Sequence, residues 1–170
     1  MRLALAALLF AVSASAFAQT PSSPTASACG AKNVSFEVKL DHTQHTLALP
    51  EPGKALVYFV QNLGPHNYIG VINVGLDGSW VGANKNNSYF SVPVEPGEHH
   101  VCENVKSHFS SYGRLVELAH FTAEAGKVYY YRAQLSFGEN HPSLLLDLID
   151  SDQGAHLIAS YPLSISHSKK

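Results

Sequence analysis

The sequence predicts an all-β protein: an antiparallel β-sandwich of seven to eight strands with little helix. Three observations carry that expectation. Runs rich in β-branched and aromatic residues recur from Val34 to Ile149, and such residues suit a pleated, half-buried surface. Clusters of Gly, Pro, Asn and Asp separate the runs, and these residues turn the chain. Run and turn repeat every roughly 8–15 residues, as in sandwiches assembled from hairpins.

The stretch Gly75–Val105 shows the pattern most sharply. Its β-prone runs are Trp80–Ala83, Tyr89–Val94 and His99–Val105. Asp77-Gly78 is a hairpin signal, because a two-residue turn needs positive φ and Gly adopts it without steric cost. Lys85-Asn86-Asn87-Ser88 and Glu95-Pro96-Gly97-Glu98 supply two more turns. Between them Phe90, Val92 and Val94 alternate with Tyr89, Ser91 and Pro93, the period of a half-buried strand.

From the start, residues 1–18 read as a secretory signal peptide: Arg2, an apolar run from Leu3 to Val12, then Ala16-Phe17-Ala18 as a small-residue cleavage site. Residues 19–30, rich in Pro, Ser, Thr and Ala, read as a flexible tether. Residues 31–170 read as a single β-sandwich domain.

Within that domain, Val34–Leu40 alternates and is either a first strand or an extended arm. Lys54–Gln61 (KALVYFVQ) is a continuous apolar run and predicts a strand buried on both faces. Tyr68–Val74 is the next strand. Arg114–Thr122 reads as a strand because a turn, Glu124–Lys127, follows it. Val128–Phe137 is aromatic and β-branched with no breaker, and Ser143–Ile149 follows as a further strand. Asp150 and Ser151 can cap a short helix through Ala155–Ala159, with Gly154 arguing against it.

The formal net charge is −2 and no run of five basic residues occurs, which leaves nucleic-acid binding without an electrostatic footprint. Past the leader, no stretch approaches the roughly 20 apolar residues that span a bilayer. Cys29 and Cys102 are the two cysteines, and an even count in an exported chain predicts a disulfide. The alternatives are lipidation at Cys29, which would make the protein an envelope lipoprotein, and free thiols.

Ten histidines are the unusual feature. On a strand His100 and Cys102 share a face while His99 points to the other. With His120 these residues are the candidate ligands of a zinc or copper site, against the plainer reading of surface histidines and a cysteine consumed by its disulfide. No HExxH or CxxC spacing and no G-x-S-x-G elbow occurs, so no catalytic residue and no cofactor is expected. Asp147, Asp150 and Asp152 read as a solvated rim. Trp80, Tyr89, Tyr129 and Tyr131 are candidate ligand-stacking rings, although such rings more often pack cores.

The ordered succession GKALVYF from Gly53, DGSWVG from Asp77, Ser88-Tyr89-Phe90, Pro96-Gly97-Glu98-His99 and AGKVYY from Ala125 resembles the bacterial envelope family called domain of unknown function 2846. The resemblance covers Gly53 to Ile149. It implies a secreted or envelope-associated β-sandwich, and it implies neither an activity nor catalytic residues. The A-x-A leader departs from lipoprotein members of that family, which leaves membrane anchoring unsupported. The expected function is a non-enzymatic secreted or periplasmic module that binds a protein or glycan partner in the envelope. The alternative is a periplasmic metal-binding protein that uses its histidines.

Overall fold

The computed structural model describes residues 28–30, 34–45, 47–109, 112–113, 115–137 and 141–169; residues 1–18, expected as a signal peptide, and most of 19–30, expected as a tether, lie outside them. Ten strands form: β1 (Phe36–Asp41), β2 (Ala55–Gln61), β3 (Val71–Leu76), β4 (Ser79–Lys85), β5 (Tyr89–Val94), β6 (Gly97–Lys106), β7 (Val116–Ala123), β8 (Val128–Phe137), β9 (Pro142–Ile149) and β10 (Leu163–Ser168). One sheet has the order β1-β10-β5-β2-β8-β9, and the other β4-β3-β6-β7. The protein is therefore an all-β sandwich. Its ten strands exceed the seven to eight expected from sequence. The unforeseen strand is β10, whose Leu-Ser-Ile-Ser-His-Ser has little β signal of its own and is ordered by pairing with β1, from Phe36↔Ser168 to Asp41↔Leu163. The sandwich is also only largely antiparallel, since β2 and β8 run parallel from Leu56↔Val128 to Gln61↔Ala133.

Of the three central turns only Asp77-Gly78 closes a hairpin, β3 with β4; the turns after β4 and after β5 carry the chain to the opposite sheet, so the central runs are not one meander. Asp77 and Gly78 sit at φ 50° and 79°, the left-handed values that a tight hairpin turn demands. All seven residues of β2 are buried, because this strand is covered on both faces. Ala55, Val57 and Phe59 face the opposite sheet and pack with Val74, Val101 and Phe121. Leu56, Tyr58 and Val60 face away and pack with Tyr130 and Ile158.

Ile158 belongs to α1 (Ser151–Ser160), which is longer than the Ala155–Ala159 segment expected. The Asp150 carboxylate caps it, accepting from the Gln153 backbone N–H at 2.9 Å. Gly154, which argued against a helix, is what seats it: a Cβ there would collide with the Tyr130 ring. The loss in helix propensity, about 1 kcal/mol, is offset by close packing on the tyrosine layer. Tyr58 and Tyr130 stack in that layer at 5.3 Å with an interplanar angle of 9°.

Cys29 and Cys102 are joined, their Cα atoms 5.1 Å apart. The arm they tie lies over the face of the four-stranded sheet, where Gly75 leaves room for the backbone of Ala28 and Cys29 and where Gly30 rests on the Trp80 ring. The bond does not cover a sheet edge, because β6 is an interior strand. The β4 edge is covered from the other sheet. Ser164 Oγ donates to the Ala83 carbonyl at 2.6 Å, and the Ala83 N–H donates to Ser166 Oγ at 3.1 Å, occupying backbone groups that would otherwise invite another strand.

Candidate binding end of the sandwich

The strand that follows β2 lies in the opposite sheet. The chain crosses through a 3-10 segment, Gly64–Ile69, before entering β3. Leu63 and Ile69 anchor the crossing in a core cluster with Ile72, Val105 and Leu144. Asn87 of the β4–β5 turn clamps its start: its Oδ1 accepts from the Leu63 N–H at 2.8 Å, and its Nδ2 donates to the Gly64 carbonyl at 3.2 Å. Gly70, at φ 138°, is required because a Cβ would strike the Lys106 carbonyl. With both ends pinned, the segment brings the half-buried His66 and the exposed Tyr68 to this end of the sandwich.

Those side chains start a continuous row of rings. His66 packs on Phe137 with centroids 4.4 Å apart and touches Tyr68 at 6.2 Å. Tyr68 meets Phe109 at 6.3 Å, and Phe109 meets Tyr112 at 6.3 Å. Three of these rings face solvent: Tyr68 is 60 % exposed, Phe109 52 % and Phe137 51 %. They come from three separate connections, after β2, after β6 and at the end of β8.

Beside this row lies an open groove of about 320 Å³, lined by Phe36, Asn73, Lys106, Ser107, His108 and Lys169 among others. No acidic side chain is among the described residues that line it. Asn73 is fully buried. Its Nδ2 donates to the Val34 carbonyl at 3.1 Å, and its Oδ1 has no hydrogen-bond partner among the described residues.

The residues singled out from sequence lie elsewhere. Tyr89 and Tyr131 are core side chains, 2 % exposed each, and burial pushes the Tyr131 hydroxyl up to about 12. The half-buried Tyr129 spends its hydroxyl on the connection after β7, donating to the Thr122 carbonyl at 3.1 Å and accepting from the Glu124 N–H at 3.0 Å. Trp80 is half-buried beneath Gly30. These rings pack the fold instead of forming an exposed stacking ladder. β-Strand alternation alone could not say that both faces of the larger sheet are covered.

His100 and His120 are direct cross-strand partners on the exposed face, their rings 6.5 Å apart. Cys102 is spent in the disulfide. His99 points to the other face, its Nδ1 2.6 Å from Asp77 Oδ2 and its Nε2 2.7 Å from the Glu95 carbonyl. Both ring nitrogens thus face acceptors, and only the imidazolium can donate to both. Burial pulls the His99 pKa down, but the Glu95 carbonyl and the Asp77 carboxylate outweigh it and the net direction is up. Among the described residues no group of three His, Cys, Asp or Glu side chains could hold a metal ion. Asp147 pairs with Arg132 at 3.3 Å, and Asp150 is the helix cap.

Sequence reading missed two features. The exposed rings are one. The strand expected over Tyr68–Val74 starts at Val71, which leaves Tyr68 in the crossing, and for Phe109 and Tyr112 the available signal was bulky aromatics within the otherwise polar KSHFSSYG. Glu103 is the other. The inward register of Val101 and Val105 carries it into the sandwich, fully buried, with Val74 and Glu117 opposite it on the neighbouring strands. Neither of its carboxyl oxygens has a hydrogen-bond partner among the described residues. Burial, with a smaller push from Glu117, raises its pKa to about 8, so it is mostly protonated at neutral pH.

A family model described as Protein of unknown function (DUF2846) matches residues 51–144. No curated protein and no solved structure matches the chain.

Proposed function

Because the chain belongs to the family described as Protein of unknown function (DUF2846), whose description assigns no activity, we propose a function from the site alone: a non-enzymatic, exported envelope module that binds a protein or glycan partner with the open end of its sandwich. The observation that carries this reading is the row of rings from Phe137 to Tyr112, three of them half or more exposed. Large rings gathered from separate loops onto one surface are costly to leave in water, and they are the side chains that anchor interfaces. Loops held by a rigid sheet scaffold are where binding residues concentrate. Export is supported by the A-x-A leader and by a disulfide, which persists in oxidising compartments. Among the described residues, no helix is long and apolar enough to cross a membrane.

The test is cosedimentation of purified mature protein with isolated bacterial envelopes. Wild type is expected to pellet with them, and the triple variant Tyr68→Ser/Phe109→Ser/Phe137→Ser to stay in solution with an unchanged melting temperature. Equal pelleting of the two proteins, or none by wild type, would remove the proposal.

A further inference from the structure

The two sheets end in four outer strands, β1, β9, β4 and β7, and three of them are guarded. Ser164 and Ser166 occupy the backbone of β4 at Ala83. β1 carries the exposed charges Glu37 and Lys39. β7 turns Glu117 inward, directly opposite the buried Glu103. Cover by another element, charge on the edge and inward-pointing charge each keep an edge from pairing with another chain.

β9 lacks all three devices. Among the described residues nothing pairs with its outer side, and β7, which lies beside it in the opposite sheet, does not join its ladder. Its pairing with β8 runs without a register shift from Tyr130↔Ile149 to Phe137↔Pro142, so no bulge turns the edge away. Pro142 protects only its first position. Leu145 is 41 % exposed and Leu148 54 %, and by strand alternation they flank the edge on opposite faces. Asp147, the one charge on the strand, is held at 3.3 Å by Arg132 of β8. A long, unbroken, leucine-rich edge of this kind pairs readily with another strand.

We propose that β9 is the interface between two copies of this chain: the two β9 strands pair antiparallel across a two-fold axis and join two six-stranded sheets into one. A free strand edge takes an extended strand through its backbone, and the sequence of β9 fits itself. Pairing about a two-fold axis sets residues of one face against residues of the same face. With the axis at Leu146, Leu144 meets the second copy's Leu148. With the axis at Leu145, that residue meets its own copy and Leu148 meets Pro142. The exposed Leu148 gains an apolar neighbour in either register. Charge also permits the pairing, since neither register sets Asp147 against its own copy and each Asp147 is already matched by Arg132. The ring row lies at the Phe137 end of the β8–β9 ladder. An antiparallel dimer therefore points its two ring rows in opposite directions, and this interface is independent of what they bind.

Sedimentation equilibrium of the mature protein over about a hundredfold range of concentration, with hydrogen exchange at both extremes, tests the inference. Wild type is expected to pass from monomer to dimer as concentration rises. The β9 amide protons should exchange more slowly in the concentrated sample, and those of β1 equally in both. The double variant Leu145→Lys/Leu148→Lys puts charge on the edge. It should associate about tenfold more weakly or worse, with a melting temperature in dilute solution matching wild type. Monomer at every concentration would overturn the inference and leave β9 to a strand of a different chain. So would a dimer whose β9 exchange does not depend on concentration, or one that the double variant forms as readily as wild type. If the variant does not fold, the exchange of wild-type β9 decides alone.

Discussion

At one end of the sandwich the strands are joined by tight turns, at Asp77-Gly78, Glu95-Pro96 and Glu124–Lys127; the other end has the short turns 86–88 and 138–141 and the two long connections, 62–70 and 107–115. The tight end is fixed by polar bonds. Asp77 accepts from the His100 N–H at 2.8 Å and holds the His99 ring. Lys54 lies 3.5 Å from both Glu51 and Glu95, and its carbonyl accepts from the Gly126 N–H at 2.8 Å. The open end is held by buried anchors at the loop bases and leaves its rings outside. The interior repeats the contrast. Ala55, Val57, Leu76, Val101 and Phe121 pack toward the tight end, and Leu63, Ile69, Ile72, Val105 and Leu144 toward the open end. Gln61 and Glu103 fall where the two clusters meet, both fully buried and both unpartnered among the described residues. One end of this molecule closes in bonded polar turns and the other leaves its rings exposed, with Gln61 and Glu103 dividing the core between them.

The largest expected effect comes from cutting the arm loose from the sheet. Reduction, or Cys102→Ser, opens a crosslink between residues 73 apart and should cost about 4 kcal/mol by the chain-entropy model. Strand content should persist in circular dichroism, because neither sheet depends on the arm. Urea melts with and without reductant measure it; reductant should have no further effect on the variant.

Next comes the buried Glu103. The folded-state pKa of Glu103 lies well above that of the unfolded chain, so its favourable contribution is complete below the unfolded value of about 4.5 and is lost as pH rises through about 8. Wild-type stability should fall across that window. Glu103→Gln should flatten the curve and stabilise the protein at pH 7 by on the order of 3 kcal/mol. A variant curve parallel to wild type would mean that Glu103 does not carry the pH dependence.

The tight end should respond more mildly. Asp77→Ala removes the bonds to His99 and His100 and should cost about 1–2 kcal/mol at pH 6. His99 has a raised pKa in the fold, so the pairing contributes fully below the unfolded histidine value and is lost as pH rises through the folded one. The loss in Asp77→Ala should therefore shrink at pH 9; a cost equal at both pH values would show that the His99 charge plays no part. The smallest effect belongs to the open end, where Tyr68→Ser or Phe109→Ser should change stability by no more than about 0.5 kcal/mol. Larger losses would make the exposed rings part of the core instead of a contact surface.

The sequence by itself determined the class of the fold, the Asp77-Gly78 hairpin and the doubly buried β2, and it made a disulfide the leading reading of its two cysteines. These follow from local signals: turn residues that admit positive φ, period-two alternation, an unbroken apolar run and an even cysteine count. Tertiary structure alone decided the rest. Strand β10 exists because β1, more than a hundred residues earlier, offers it a partner; Leu163–Ser168 could not announce this locally. Gly154 lies in a helix because Tyr130 lies beneath it. Tyr89 and Tyr131 are core because α1 and the second sheet cover both faces of the larger sheet. The open end is assembled from Tyr68, Phe109, Phe137, Asn73 and Lys169, residues that are far apart in the chain. A site built from several connections has no spacing to read, because the distances that matter are set by how the sheets stack.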